Sequence, residues 1–131
     1  MSERDWSAAV ANPETVRLVL GNPPPPLTDY HLDSVLIDER QASVTLRFSA
    51  FTVPVGAADL WQARGHNAVE FVLVCIGVRH FEVDAWSGRP TTVAALAENR
   101  VVLAGQDKRV SFETAEIRAQ APVGRLWSRG R

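Results

Sequence analysis

The side chains that could do chemistry are few and scattered. The densest group of potential ligands is Asp29-Tyr30-His31-Leu32-Asp33. Side chains alternate faces along an extended segment, so Asp29, His31 and Asp33 would project on one side. Two carboxylates and an imidazole on one face suit a divalent cation, although a closed site needs further ligands from elsewhere in the chain. The same run also reads as a polar strand entry, with Asp29 capping a turn and His31 at the surface. His80, Glu82 and Asp84 share a face opposite Phe81 and Val83, as an antiparallel strand over a core should. Trp86 follows beside Asp84, and a half-exposed tryptophan can anchor an interface. Asp29, His31, Asp33, Asp84 and Trp86 are therefore the candidate binding residues. None carries a catalytic or metal-ligand assignment, and no cofactor is implied.

Complete catalytic motifs are missing. Gly-x-Ser-x-Gly does not occur, so no nucleophile elbow is marked. No glycine-rich phosphate loop and no Cys/His zinc spacing occur either. Cys75 is the single cysteine, inside the apolar run Val72-Leu73-Val74-Cys75-Ile76; it reads as a small buried hydrophobe rather than a nucleophile. Arg118, Arg125, Arg129 and Arg131 with Trp127 could bind nucleic acid, but a solvated chain end accounts for them as well.

These residues need a scaffold, and the periodicity describes one. Asn12-Pro13 is a good helix start, Val16, Val19 and Leu20 share a face, and Gly21 can stop the helix. An earlier turn can begin at Ser2 with Asp5 at i+3. The four prolines Pro23 to Pro26 follow and make an extended connector that cannot enter a central ladder. From Leu32 the period becomes two. Val35 and Ile37 alternate with Leu36 and Asp38, and Val44, Leu46 and Phe48 alternate with Thr45, Arg47 and Ser49, across a polar turn at Glu39-Arg40-Gln41-Ala42. Ala68 to Val78 reads as a central strand covered on both faces. His80 to Asp84 should pair with it across Gly77 to Arg79. Thr92 to Ala97 reads as a short helix. Val101–Ala104, Arg109–Glu113 and Glu116–Ala119 read as strands, with Gly105-Gln106-Asp107-Lys108 as a hairpin turn between the first two.

The expected fold is mainly β (α+β): an antiparallel sandwich or curved sheet of about seven strands with an N-terminal helix. The 131 residues make one domain, divided into a helix at 1–21, a connector at 22–26, a β-domain at 27–121 and a tail at 122–131. A chain of this length can bury a core without disulfides or metal. With 14 basic and 15 acidic residues the net charge is −1, which supplies no long-range field for nucleic acid or anionic lipid. The longest apolar run, Phe71 to Ile76, is far too short to span a bilayer. The polar Met1-Ser2-Glu3-Arg4-Asp5 start does not resemble a signal peptide, so the expected location is cytoplasmic.

The order of segments carries a resemblance. Pro26-Leu27-x-Asp29 leads into Leu32-Asp33-Ser34-Val35 and a hairpin. Ile76-Gly77-Val78 and Phe81-Glu82-Val83-Asp84-Ala85-Trp86 come next, and Val110-Ser111-Phe112 lies in the closing hairpin. From about Leu27 to Ala119 this layout resembles the bacterial polymorphic-toxin immunity proteins known as immunity protein fifty. That resemblance implies a cytoplasmic β-rich protein that binds and neutralises a cognate toxin, with no catalytic residues to transfer. The leading expectation is a binding protein of this kind. The alternatives are a small-molecule or metal-binding β-domain with hydrolytic activity that uses Asp29, His31 and Asp33, and a homo-oligomeric module, such as a homodimer, that buries tryptophan-bearing surface.

Overall fold

The computed structural model describes residues 5–54, 61, 63–97 and 99–126. A 3-10 turn at Trp6–Ala9, helix α1 at Glu14–Leu20 and a second 3-10 turn at Leu27–Asp29 precede nine strands among these residues. The strands are β1 His31–Asp38, β2 Ser43–Ala50, β3 Ala68–Ile76, β4 Arg79–Ala85, β5 Thr91–Ala97, β6 Arg100–Gly105, β7 Lys108–Glu113, β8 Glu116–Ala119 and β9 Val123–Arg125. They form two antiparallel sheets. The first has the order β1-β2-β3-β8, with β9 also pairing with β3; the second has the order β4-β7-β6-β5.

Period-two apolar residues account for the shared core. Val44, Leu46 and Phe48 of β2, Val69, Phe71, Leu73 and Cys75 of β3, and Ile117 of β8 are buried on one face. Leu96, Val101, Leu103, Val110 and Phe112 of the second sheet belong to the same cluster. Each such side chain contributes about 1.5–3 kcal/mol on leaving water. Phe71 is the hub. It stacks on Trp6 at 5.5 Å and on Phe48 at 5.3 Å, and meets Tyr30 edge-on at 5.0 Å.

The first hairpin matches expectation: Asp38 pairs with Ser43 and Leu36 with Thr45. Ala42 takes φ +50 in the turn. Gly105 pairs with Lys108 across the other expected turn. β3 is central, between β2 on one side and β8 and β9 on the other. Its second face is less covered than expected, since Glu70, Val72 and Val74 are half-buried and Ile76 is exposed.

Three expectations are corrected. β4 does not return along β3; it crosses to the second sheet and pairs with β7. The link is pinned: Val78 N donates to Ala42 O, while Ala115 N and Thr114 Oγ1 donate to Ile76 O. β8 and β9 take the free side of β3 instead. Thr92 to Ala97 is strand, not helix, because β5 pairs with β6 from Thr91 to Ala97, and that ladder overrides the helical preference of its alanines. The expected 122–131 tail contributes β9, whose Arg125 donates to the Glu70 carboxylate at 3.0 Å; Arg129, Arg131 and Trp127 lie outside the described residues.

The N-terminal segment also departs from a single helix. Asp5 caps the first 3-10 turn by accepting from Ser7 N; Ser2 lies outside the described residues. Pro13 holds the N-cap position of α1, with no side-chain cap. The Asn12 amide is used elsewhere. Its Nδ2 donates to Ala119 O at 2.8 Å and its Oδ1 accepts from Ala119 N at 2.9 Å. Ala11 N donates to Ile117 O at 2.7 Å. Residues 11 and 12 thus act as a rung of strand along β8. Both 3-10 turns lie against β5, and Trp6 Nε1 donates to Pro25 O at 2.8 Å, so the proline connector is tied to the same flank. Among the described residues no helix is long and apolar enough to cross a membrane.

Candidate functional site

A sandwich has two flanks where edge strands end. On the flank just described, the N-terminal segment covers them. On the other, β1 and β4 are edge strands whose outer sides pair with no described strand. Their inward-facing residues lie at the margin of the core. Val35 pairs with Leu46 and Ile37 with Val44, both buried partners, so Val35 and Ile37 point inward. Val83 pairs with buried Val110, and Phe81 stacks on Phe112 at 5.7 Å. Yet Ile37 is 52% exposed, Val83 47% and Trp86 50%. The core face runs out into solvent here.

The result is a groove of about 390 Å³ lined by Asp33, Ser34, Val35, Ile37, Phe81, Val83, Trp86 and Val110. A second hollow of about 200 Å³ shares Ile37 and Phe81 with it and adds Asp38, Glu39 and Val78. The charged residues lining both hollows are Asp33, Asp38 and Glu39, all acidic. Asp33 has His31 Nε2 at 3.8 Å; among the described residues Asp38 and Glu39 have no cationic partner. Single exposed apolar residues are normal on a soluble protein, whereas a contiguous apolar cleft with a polar rim marks an interaction site.

The five candidate binding residues divide. Asp33 and Trp86 line the groove. Asp29 ends the second 3-10 turn, so it does not share the extended geometry of its neighbours. His31 opens β1, exposed, and a register shift between Leu32 and Ser34 displaces Asp33 from simple alternation. Asp29 therefore drops out of the expected common face while His31 and Asp33 stay close, and among the described residues no three His, Cys, Asp or Glu side chains gather to hold a metal. Asp84 is exposed and pairs with Arg109 Nε at 3.8 Å. His80 sits at φ +54 in the irregular start of β4, which breaks the expected His80, Glu82, Asp84 row.

Lys108 gives the site an unexpected support. It is the chain's one lysine, and it is buried. Its Nζ donates to Arg89 O at 2.8 Å and to Thr91 Oγ1 at 3.3 Å, and lies 5.1 Å from the centre of the Trp86 ring. Removal from water pushes its pKa below the ordinary lysine value. The ring face stabilises the cation and is itself held at the groove wall. Trp6 and Trp61 are core residues, so Trp86 is the described tryptophan with an interface to offer. Cys75 is fully buried, and burial pushes its thiol up to about 12, far from the range of a reactive thiolate.

Val35, Ile37, Phe81, Val83 and Lys108 were not among the sequence candidates. Lys108 falls in the expected hairpin turn; the alternation of the other four reads as core, and nothing local separates a core position from one on an uncovered edge.

The profile of the Immunity protein 50 family matches residues 12–123, a span that holds α1 and β1 to β8. No curated protein and no solved structure matches the chain. The match covers most of the 131 residues, and the chain belongs to the Immunity protein 50 family.

Proposed function

From that membership we propose that this protein neutralises a cognate toxin by direct protein–protein contact, in the cytoplasm of the cell that makes both. The observation that carries the reading is the family match over residues 12–123. The apolar groove between β1 and β4 is consistent with it, because a protein that acts by covering another needs an exposed apolar centre with a polar rim. Asp33 and Trp86 are the candidate residues that would take part. The metal-binding alternative would rest on His31 and Asp33 alone, since Asp29 stands in the 3-10 turn.

The test is co-expression. The neighbouring gene should encode a large secreted protein whose C-terminal domain arrests growth when expressed alone. Adding this chain should restore growth, and the two purified proteins should co-elute as a complex. A toxic neighbour that this chain neither rescues nor binds would overturn the reading.

A further inference from the structure

Resting on the immunity reading, we infer that the free edge of β1, from Ser34 to Asp38, receives an extended segment of the toxin as an added strand, and that this segment carries apolar side chains flanked by basic ones. Three observations lead here.

The first is the edge itself. An edge strand presents unpaired backbone donors and acceptors, and proteins usually blunt it with lysine, proline, bulges or a covering segment. β5 and β8 are covered by the N-terminal residues. β4 is blunted by two register shifts, between Arg79 and Glu82 and between Val83 and Ala85. Among the described residues β1 has neither device along Ser34 to Asp38, where its register with β2 is unbroken. It also lacks lysine and proline.

The second is the groove beside that edge. Strand addition takes its affinity from backbone hydrogen bonds and its specificity from pockets for alternate side chains. Ile37, Val83 and Phe81 form such a pocket, open to solvent and continuous with the second hollow. An incoming strand beside β1 would direct every second side chain into it.

The third is charge. Asp33 lies at one end of the regular stretch of β1, and Asp38 and Glu39 at the other. Asp38 and Glu39 have no cationic partner among the described residues. A segment with basic residues at both ends of an apolar middle would complement them, and charge of this kind sets register and encounter rate.

The experiment uses the toxic C-terminal domain identified by growth rescue, titrated against the full-length chain. Ile37→Arg and Val83→Arg should weaken binding about 100-fold, as loss of a central interface residue does. The double change Asp38→Lys with Glu39→Lys should weaken it about tenfold and flatten its dependence on salt. Val93→Arg, a half-exposed position on β5 of the covered flank, should change it less than about threefold. Hydrogen exchange on the wild-type complex needs no variant, and it should show new protection in β1 amides and not in β4. Binding and rescue that survive Ile37→Arg, or protection that falls elsewhere, would overturn the strand-addition inference and leave the immunity reading standing. Self-association of the free chain through β1 would overturn it too, since the edge would then belong to a second copy. If the wild-type chain neither rescues nor binds, the immunity reading fails, and this inference fails with it.

Discussion

The two flanks of the sandwich face the same physical problem and meet it in opposite ways. At β5 and β8 the chain covers its own edges. Asn12 exchanges two hydrogen bonds with Ala119, Ala11 N reaches Ile117 O, and Trp6 stacks on Phe71. Asp5, Ser7 and Arg17 lock this cover from behind, with Arg17 Nε donating to the buried Ser7 Oγ at 2.8 Å. At β1 and β4 nothing among the described residues does this work, and Ile37, Val83 and Trp86 stay half in water. One flank spends its polar and aromatic groups on stability; the other keeps them available. The contrast teaches that the stability of this fold and its capacity to bind reside in different places, so they should respond to different mutations.

The strongest way to break the comparison is Trp6→Ala. It removes a fully packed ring and its hydrogen bond to Pro25 O, and urea unfolding should show a loss of about 3–5 kcal/mol. If toxin binding by the still-folded fraction is unchanged, stability and recognition separate as argued. Asn12→Ala comes next. It strands both backbone groups of Ala119 and should cost about 1–3 kcal/mol in the same measurement, with faster hydrogen exchange in β8.

Acid should reveal the lock at Asp5. A hydrogen bond from the Ser7 hydroxyl, followed by the Arg17 charge, holds its carboxyl below the ordinary aspartate value, against the opposing pull of partial burial. The folded state therefore binds that proton more weakly than the unfolded chain does. Its stabilisation is whole above about pH 4 and fades as the pH falls through the lowered value. Asp5→Asn should lose that stabilisation already at pH 7, modestly because the carboxylate and its Arg17 partner are partly exposed, and should flatten the further loss below about pH 4. An equally steep acid limb in the variant would show that the lock is not electrostatic.

The smallest effect belongs to the open flank. Ile37→Ser and Val83→Ser should shift stability by about 1 kcal/mol or less, because these side chains are half in water already. A loss of several kcal/mol at either site would mean that the groove is core after all, and the comparison would collapse.

Much of the scaffold was legible in the sequence, for a local reason. The alternation in β2, the turn at Glu39–Ala42, the hairpin at Gly105–Lys108 and the centrality of β3 are written in neighbouring residues, since side-chain period and turn chemistry act over a few positions. The site was legible only in part. Asp33 and Trp86 line the groove. Asp29, His31 and Asp84 are not among its lining residues: Asp29 stands in a 3-10 turn, His31 sits at the strand start beside Asp33, and Asp84 pairs with Arg109, and none of these follows from spacing.

By itself, then, the sequence determined a β-rich domain with an apolar face on most strands and a buried cysteine. Tertiary structure decided which strands became edges. That choice depends on pairing between distant segments: β4 with β7 rather than β3, β9 beside β3, and residues 11 and 12 along β8. An apolar residue on a central strand is core, and the same residue on an uncovered edge is a binding surface. Only the long-range ladder separates the two, and hydrophobic periodicity carries no information about it.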